Sequence, residues 1–273
     1  MRTLIIAAAA MAALAAKADG IVSSSVVGYQ NLDTVSVGKV MVAPTFLNVG
    51  QDAKCYLSDL KVTGYTAPSK NAKGKWVNGC GGGEFMVTKL TTSGTAEANY
   101  YWIDNGTVGP GWFATAEAGE ITGGAETVEL PVGQALWTQG SAYKLVPAGA
   151  VNTLDVAFPT VAVGKVAVGN SSPVDLTLAD LTVTGYTAPE KNAKGKWTGG
   201  CGGGEFMVTK LTTSGTADAN YYWIDNGTVG PGWFATAEAG AIEGGAISVK
   251  IPAGLGLWTQ GSGYTLNIPA PEL

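Results

Sequence analysis

The chain of 273 residues contains no histidine, one arginine (Arg2) and three cysteines, and only 14% of it is charged. Without imidazole there is no Ser-His-Asp or Cys-His catalysis. The commonest metal ligand and the usual pH switch are missing with it. One arginine and a net charge of −5 leave no basic surface of the kind that supplies nucleic-acid affinity or holds a protein to anionic membranes. Long apolar runs are scarce too. Leu4 to Ala16 is the exception, and it is shorter than the ~20 residues that a membrane span needs. With Met1-Arg2-Thr3 before it and Ala16-Lys17-Ala18 after it, the run reads as a secretory signal with cleavage expected after Ala18. The mature chain would start at Asp19 and carry 14 lysines against 21 acidic residues, a net of −7.

Glycine, by contrast, is abundant at 40 residues, and 46% of the chain is hydrophobic. That is too apolar for a disordered linker, and no collagen period is present. The chain is organised around a duplication. Val62 to Gly119 recurs as Val183 to Gly240 at an offset of 121 residues. Only Ser69/Glu190, Val77/Thr198, Asn78/Gly199 and Glu97/Asp218 differ. A period this long is domain-sized rather than a solenoid unit. The expectation is a signal peptide (1–18) followed by two tandem homologous domains, 19–147 and 148–273. Upstream of the shared block, Val37-Gly38-Lys39-Val40 aligns with Val163-Gly164-Lys165-Val166. The first half carries about five extra residues around Asn48 to Cys55, an insertion of the sort surface loops tolerate.

The local pattern is β throughout. Alternation at Val35/Val37 and Val40/Val42 is strand logic, although Met41 is apolar as well. Glu84 to Leu90, Asn99 to Asp104 and Gly111 to Ala114 predict an antiparallel meander with one wet and one dry face, the first two strands joined by the turn Thr91 to Gly94. Asn105-Gly106 breaks the second strand, because both residues tolerate positive φ. Further strands are expected at Thr127 to Leu130, Gln134 to Thr138 and Tyr143 to Val146, with counterparts in the second half. Leu57 to Leu60 and Leu176 to Leu181 could hold a short helical turn. The fold class is therefore all-β, each half a β-sandwich or partly open barrel. The segment SSSVVGYQN and the later P-x-G-x-x-L-W strand (Pro131 to Trp137, Pro252 to Trp258) resemble segments of uncharacterised secreted bacterial β-repeat proteins. That resemblance implies an exported surface or matrix protein and no particular chemistry.

Several residues could carry function. Tyr100, Trp102 and Trp112, with Tyr221, Trp223 and Trp233, could expose rings that stack on sugars, or they could fill the core. Cys80 and Cys201 hold equivalent positions, and Cys55 has no cysteine counterpart. Export allows disulfides, and an odd count leaves one thiol over. Cys80 and Cys201 meet only if a two-fold axis passes near them. Otherwise Cys55–Cys80 is the internal candidate and Cys201 could cross-link chains; buried, idle thiols are the third possibility. The basic turns Lys70, Lys73, Lys75 and Lys191, Lys194, Lys196 could dock on an acidic neighbour and drive self-association.

Other motifs point to less. The run Gly79 to Gly83 lacks the Lys-Ser/Thr and the helix of a phosphate loop and suits a bulge instead. Glu84, Asp104, Glu117, Glu205, Asp225 and Glu238 could in principle form a glycosidase pair, but no spacing selects two. Asn105-Gly106-Thr107 matches a glycosylation acceptor and is equally a turn sequence. No cofactor or metal is implied. The expected function is an exported, non-enzymatic structural or adhesive protein acting by multivalent contact. Its expected partners are itself, other surface proteins or glycans. A tandem carbohydrate-binding module is the alternative, and a carboxylate glycosidase comes after it.

Overall fold

The computed structural model describes residues 27–33, 40–48, 54–91, 93–116, 120–140, 143–159, 166–212, 216–237, 241–261 and 263–272. The expected signal peptide, the Val35/Val37 alternation and Glu117 and Glu238 lie outside the described residues. Apart from two short 3-10 turns, Leu57–Asp59 and Leu178–Asp180, every named element is a strand, and among the described residues no sheet closes into a barrel.

In the first half the meander is the centre of a six-stranded antiparallel sheet. Its order is Glu120–Gly124, Gly111–Ala116, Ala96–Asp104, Cys80–Leu90, Leu136–Gly140 and Val40–Val42. A second sheet is built on Lys144–Val151, which pairs with Val27–Tyr29, Leu32–Asp33, Phe46–Leu47 and Leu60–Thr63. Lys144–Val151 runs through Pro147 and Ala148 without a break, and Ala148 to Val151 pair with first-half residues. Phe85, Val87, Trp102 and Trp112 of the first sheet share one core with Leu60, Val62 and Leu145 of the second. Trp112 Nε1 donates to Leu60 O at 2.7 Å, so the largest core side chain also satisfies a buried carbonyl of the opposite sheet. The second half repeats the six-strand order with Val166–Gly169, Gly256–Gly261, Cys201–Leu211, Ala217–Asp225, Gly232–Ala237 and Ala241–Gly245. It has its own core around Phe206, Trp223 and Trp233, and Trp233 Nε1 donates to Leu181 O at 2.8 Å.

The meander does not have one wet face throughout. A third core cluster gathers Met41, Ala43, Leu90 and Ala135 of the first half with Ala167 and Leu211 of the second. Trp137 and Trp258 pack edge-to-face on it, with centroids 5.7 Å apart. The contacts are reciprocal. Val42 bridges Leu255, and the equivalent residues Val168 and Gln134 bridge each other. Ala43 N donates to Gly254 O at 2.9 Å, as Gly169 N donates to Gly133 O at 3.0 Å. Residue i meeting j while the equivalent of j meets the equivalent of i is the signature of a two-fold relation. Here the two-fold is approximate and lies inside one chain, beside Trp137 and Trp258. It explains why Met41 breaks the alternation of Val40 and Val42: all three residues are buried, Val40 and Val42 in their own core and Met41 against the other half.

The approximation is visible at matched positions. Where the first contact places Met41 against Gly256, its counterpart places Ala167 beside Ala135. A Cβ on Gly256 would collide with Met41 Cγ. Gly256→Ala is therefore expected to cost about 1–3 kcal/mol by overpacking. The double variant Met41→Ala/Gly256→Ala, which copies the Ala167/Ala135 solution, should recover part of the stability that the two single variants lose. A denaturant-unfolding double-mutant cycle measures this, and strictly additive effects would show that the two residues do not share one space.

Candidate functional site

The expected aromatic binding face is core. Trp102, Trp112, Trp223 and Trp233 are 1–6% exposed, and Tyr100 and Tyr221 are half-buried against the same clusters. Each tryptophan pair packs edge-to-face with centroids 5.4 Å apart. The physical reason is the second sheet, which covers the face that Tyr100 and Trp102 share. The sugar-stacking role expected of these six residues is thereby corrected.

Of the cysteine alternatives, the disulfide pairings are corrected, and the buried thiols are what the structure shows. Cys55, Cys80 and Cys201 are all buried and in no disulfide, each packed in the core of its own half. The approximate two-fold passes beside Trp137 and Trp258, away from Cys80 and Cys201, so the equivalent thiols do not meet. Cys55 pairs across a strand with Leu130 where Leu176 pairs with Ile251, which makes it a small hydrophobe at a leucine position. Burial pushes its thiol well above the ordinary range. Burial, then Glu84 and Asp104, raises Cys80 to about 12. Thiols that stay protonated are poor nucleophiles.

Of the candidate carboxylates, two pairs are structurally committed. Tyr65 Oη donates to Asp104 Oδ2 at 2.9 Å and accepts from Trp102 Nε1 at 3.1 Å. Tyr186, Asp225 and Trp223 repeat this at the same distances. Glu84 Oε2 accepts from Gly81 N and Gly83 N, and Glu205 Oε2 from Gly202 N. Gly81 to Gly83 of the glycine run lie inside Cys80–Leu90, where the register shifts against Ala96–Asp104. That is the bulge expected from sequence, with its amides turned to a carboxylate of the same strand. Among the described residues no group of three His, Cys, Asp or Glu could hold a metal ion.

What stands out from the body is a pair of hairpins. Ser69–Lys70 pairs with Trp76–Val77, and Glu190–Lys191 with Trp197–Thr198. Sequence reasoning found the lysines and missed the tryptophans. Trp76 and Trp197 are 44% and 42% exposed, although indole rings belong mostly inside. The available signal was a lone tryptophan in a Lys/Gly/Asn stretch with no apolar partner at period two.

The tip is held by its own chemistry. Asn71 Oδ1 accepts from Lys73 N at 2.9 Å and Lys75 N at 3.1 Å, and Gly74 takes φ 71°, which glycine adopts without strain. At the base, Gly79 N donates to Thr66 O at 2.8 Å, and a Cβ at Gly79 would strike Asp104 O. The Trp76 ring lies against Gly106 so closely that any side chain there would enter it. That Asn105-Gly106 turn is itself fixed, since Asn105 Oδ1 accepts from Thr107 N and Val108 N. Lys70 Nζ stands over the indole at 5.1 Å and Lys191 Nζ over its counterpart at 5.0 Å, within cation–π range. The result is an exposed, braced hairpin that carries three lysines and one aromatic ring with an ammonium group over it, present twice. No protein-family model, no curated protein and no solved structure matches this chain.

Two outcomes check this geometry. In the native state Ellman's reagent should label none of the three thiols within minutes, and all three after denaturation. Rapid native labelling would place a cysteine at the surface. Burial also raises Tyr65 and Tyr264 from 10.0 to about 12. The unfolded chain therefore loses these protons first, so stability should hold below pH 10 and fall as pH rises from 10 toward 12. Melting temperatures that stay flat across that window would contradict the burial of both phenols.

Proposed function

We propose that this chain is an exported structural or adhesive protein, without enzymatic activity of its own, that works by two-point contact through its lysine–tryptophan hairpins. The observation that carries the reading is the repetition of one exposed, braced hairpin on a single scaffold. Two similar contacts on one chain raise avidity through effective concentration, typically by about 10²–10⁴ over either contact alone. Each hairpin is pre-organised by Asn71 or Asn192 at the tip, so little conformational entropy is lost when it docks. The duplicated Tyr-Asp-Trp hydrogen bonds beneath the hairpins serve the same end, linking the core to the turn on which each indole rests. The basic start and apolar run at residues 2–16 support export.

Sugar binding by the chain, if it occurs, rests on Trp76 and Trp197 rather than on the buried pairs, and Lys70 and Lys191 then bias it toward acidic sugars. A glycosidase reading is weaker. Asp104 and Glu84 each already commit one carboxylate oxygen, to Tyr65 and to backbone amides.

The test is retention. In cells that produce the protein, wild type should fractionate outside the cytoplasm and remain bound to the surface or matrix. Trp76→Ala or Trp197→Ala alone should weaken retention by about 10² or more, and the pair should abolish it. A cytoplasmic protein, or a double variant retained like wild type, contradicts the proposal.

A further inference from the structure

We infer that the partner of the hairpins is a second copy of this chain, docked through its acidic body, and that the first hairpin is the stronger of the two. The inference rests on the two-point reading above and gives it a partner. The six hairpin lysines and Glu190 sum to +5 on a chain of net −5, which leaves −10 on everything else. Outside the hairpins, Lys54, Lys89 and Lys210 are already spent on Glu129, Glu97 and Asp218. Among the described residues none of the six hairpin lysines is in an ion pair. Uncompensated positive charge is thus gathered at two tips, and negative charge is spread over the remainder. The tips cannot bend back onto their own body, because each is braced by the turn beneath its indole. The complementary surface nearest in chemistry is the body of another molecule.

The two hairpins are not identical, and where they differ is informative. In a two-stranded hairpin, alternate residues face opposite sides. Lys70 and Trp76 are cross-strand partners on one side, and Ser69 and Val77 are partners on the other. The first side is unchanged in the second copy. The second side becomes Glu190 and Thr198, and Asn78 at φ 64° becomes Gly199 at φ 74°. Three of the four differences in the duplicated block therefore fall on or beside this element: Ser69 and Val77 lie on the side away from the lysine–tryptophan pair, and Asn78, just past the strand, donates its Nδ2 to Ser69 Oγ on that side. The shared side carries the common contact. The divergent side sets its strength: Val77 offers exposed apolar surface, whereas Glu190 lowers the local charge from +3 to +2 and repels an acidic partner. A tip that docks on a body is a heterologous contact, which extends into open chains rather than closing into a symmetric dimer. The Trp137–Trp258 interface between the halves is already used within the molecule and adds nothing to such growth.

Sedimentation velocity of the full chain tests this. At low ionic strength the weight-average mass should rise with concentration, and at about 0.5 M NaCl, where the screening length is only a few ångströms, it should return to the monomer. Lys73→Glu, at an exposed tip where folding is not at risk, should weaken association by about tenfold, equivalent to ~1.4 kcal/mol. Lys194→Glu should weaken it by less. Glu190→Ser/Thr198→Val should strengthen it. A monomer at every salt concentration, an assembly indifferent to salt, or equal losses from the two lysine variants would overturn the inference. Monomers in solution combined with hairpin-dependent retention on cells would move the partner to a different surface component and leave the two-point reading standing. Loss of both behaviours would remove both.

Discussion

One buried hydrogen-bonded contact underlies the architecture of each half: a tryptophan clamped between two sheets and tied to the backbone of the far one. Trp112 fills the space between the meander and the Lys144–Val151 sheet, and its Nε1 satisfies Leu60 O. Its neighbour Trp102 packs edge-on against it and passes its own donor to Tyr65, which donates to Asp104. The next residues, Asn105-Gly106, form the turn under Trp76. A continuous set of contacts therefore runs from the centre of the core to the exposed indole. Removing the Trp112 donor would leave a buried carbonyl unpaired at a cost of about 1–3 kcal/mol, and loosening that sheet would unseat the hairpin as well. The same set recurs around Trp233, Trp223, Tyr186, Asp225 and Trp197.

The duplication produces more than two beads on a string. The outer faces of the six-stranded sheets meet through a small apolar cluster with Trp137 and Trp258 at its centre. Because the sequences on both sides of the shared block have diverged, the matched contacts are solved differently, as methionine against glycine in one place and alanine beside alanine in the other. Divergence of this kind commits each half to the other. It also covers the small apolar patch of Met41, Leu90 and Trp137 that the first six-stranded sheet would otherwise expose, an aggregation hazard for a β-protein. What remains outside is the hairpin pair, and the charge of the chain is distributed to match. Six of its lysines sit at the tips of an otherwise acidic body.

Much of the fold was legible beforehand, for identifiable reasons. Period-two alternation and β-branched residues marked the strands of the meander, and glycine with asparagine marked the turns. The helical turn expected at Leu57 to Leu60 is the 3-10 segment Leu57–Asp59. Three features were not legible. Alternation places Tyr100 and Trp102 on one face but does not say whether another sheet covers that face, so the sequence alone leaves a binding surface and a core both open. Met41 is an apolar residue out of step with the alternation, and nothing local announces its partner Gly256, which lies in the other half of the chain. Trp76 was overlooked because its exposure depends on Gly106, which is distant in sequence and meaningful only once the two turns are in contact.

Those points converge on one physical statement: the hairpins are fixed parts of the scaffold and not flexible loops. Amide hydrogen exchange of the intact protein tests that most directly. The amides of Asn71, Lys73, Lys75 and Gly79, with Asn192, Lys194, Lys196 and Gly200 in the second copy, are all donors to acceptors within the hairpin or its base. The amides at each hairpin base, Gly79 and Gly200, should exchange markedly more slowly than an unstructured chain, and the tip amides should also be retarded. Exchange at random-coil rates throughout both hairpins would mean that Trp76 and Trp197 are not held in place, and two-point contact through them would have no structural basis.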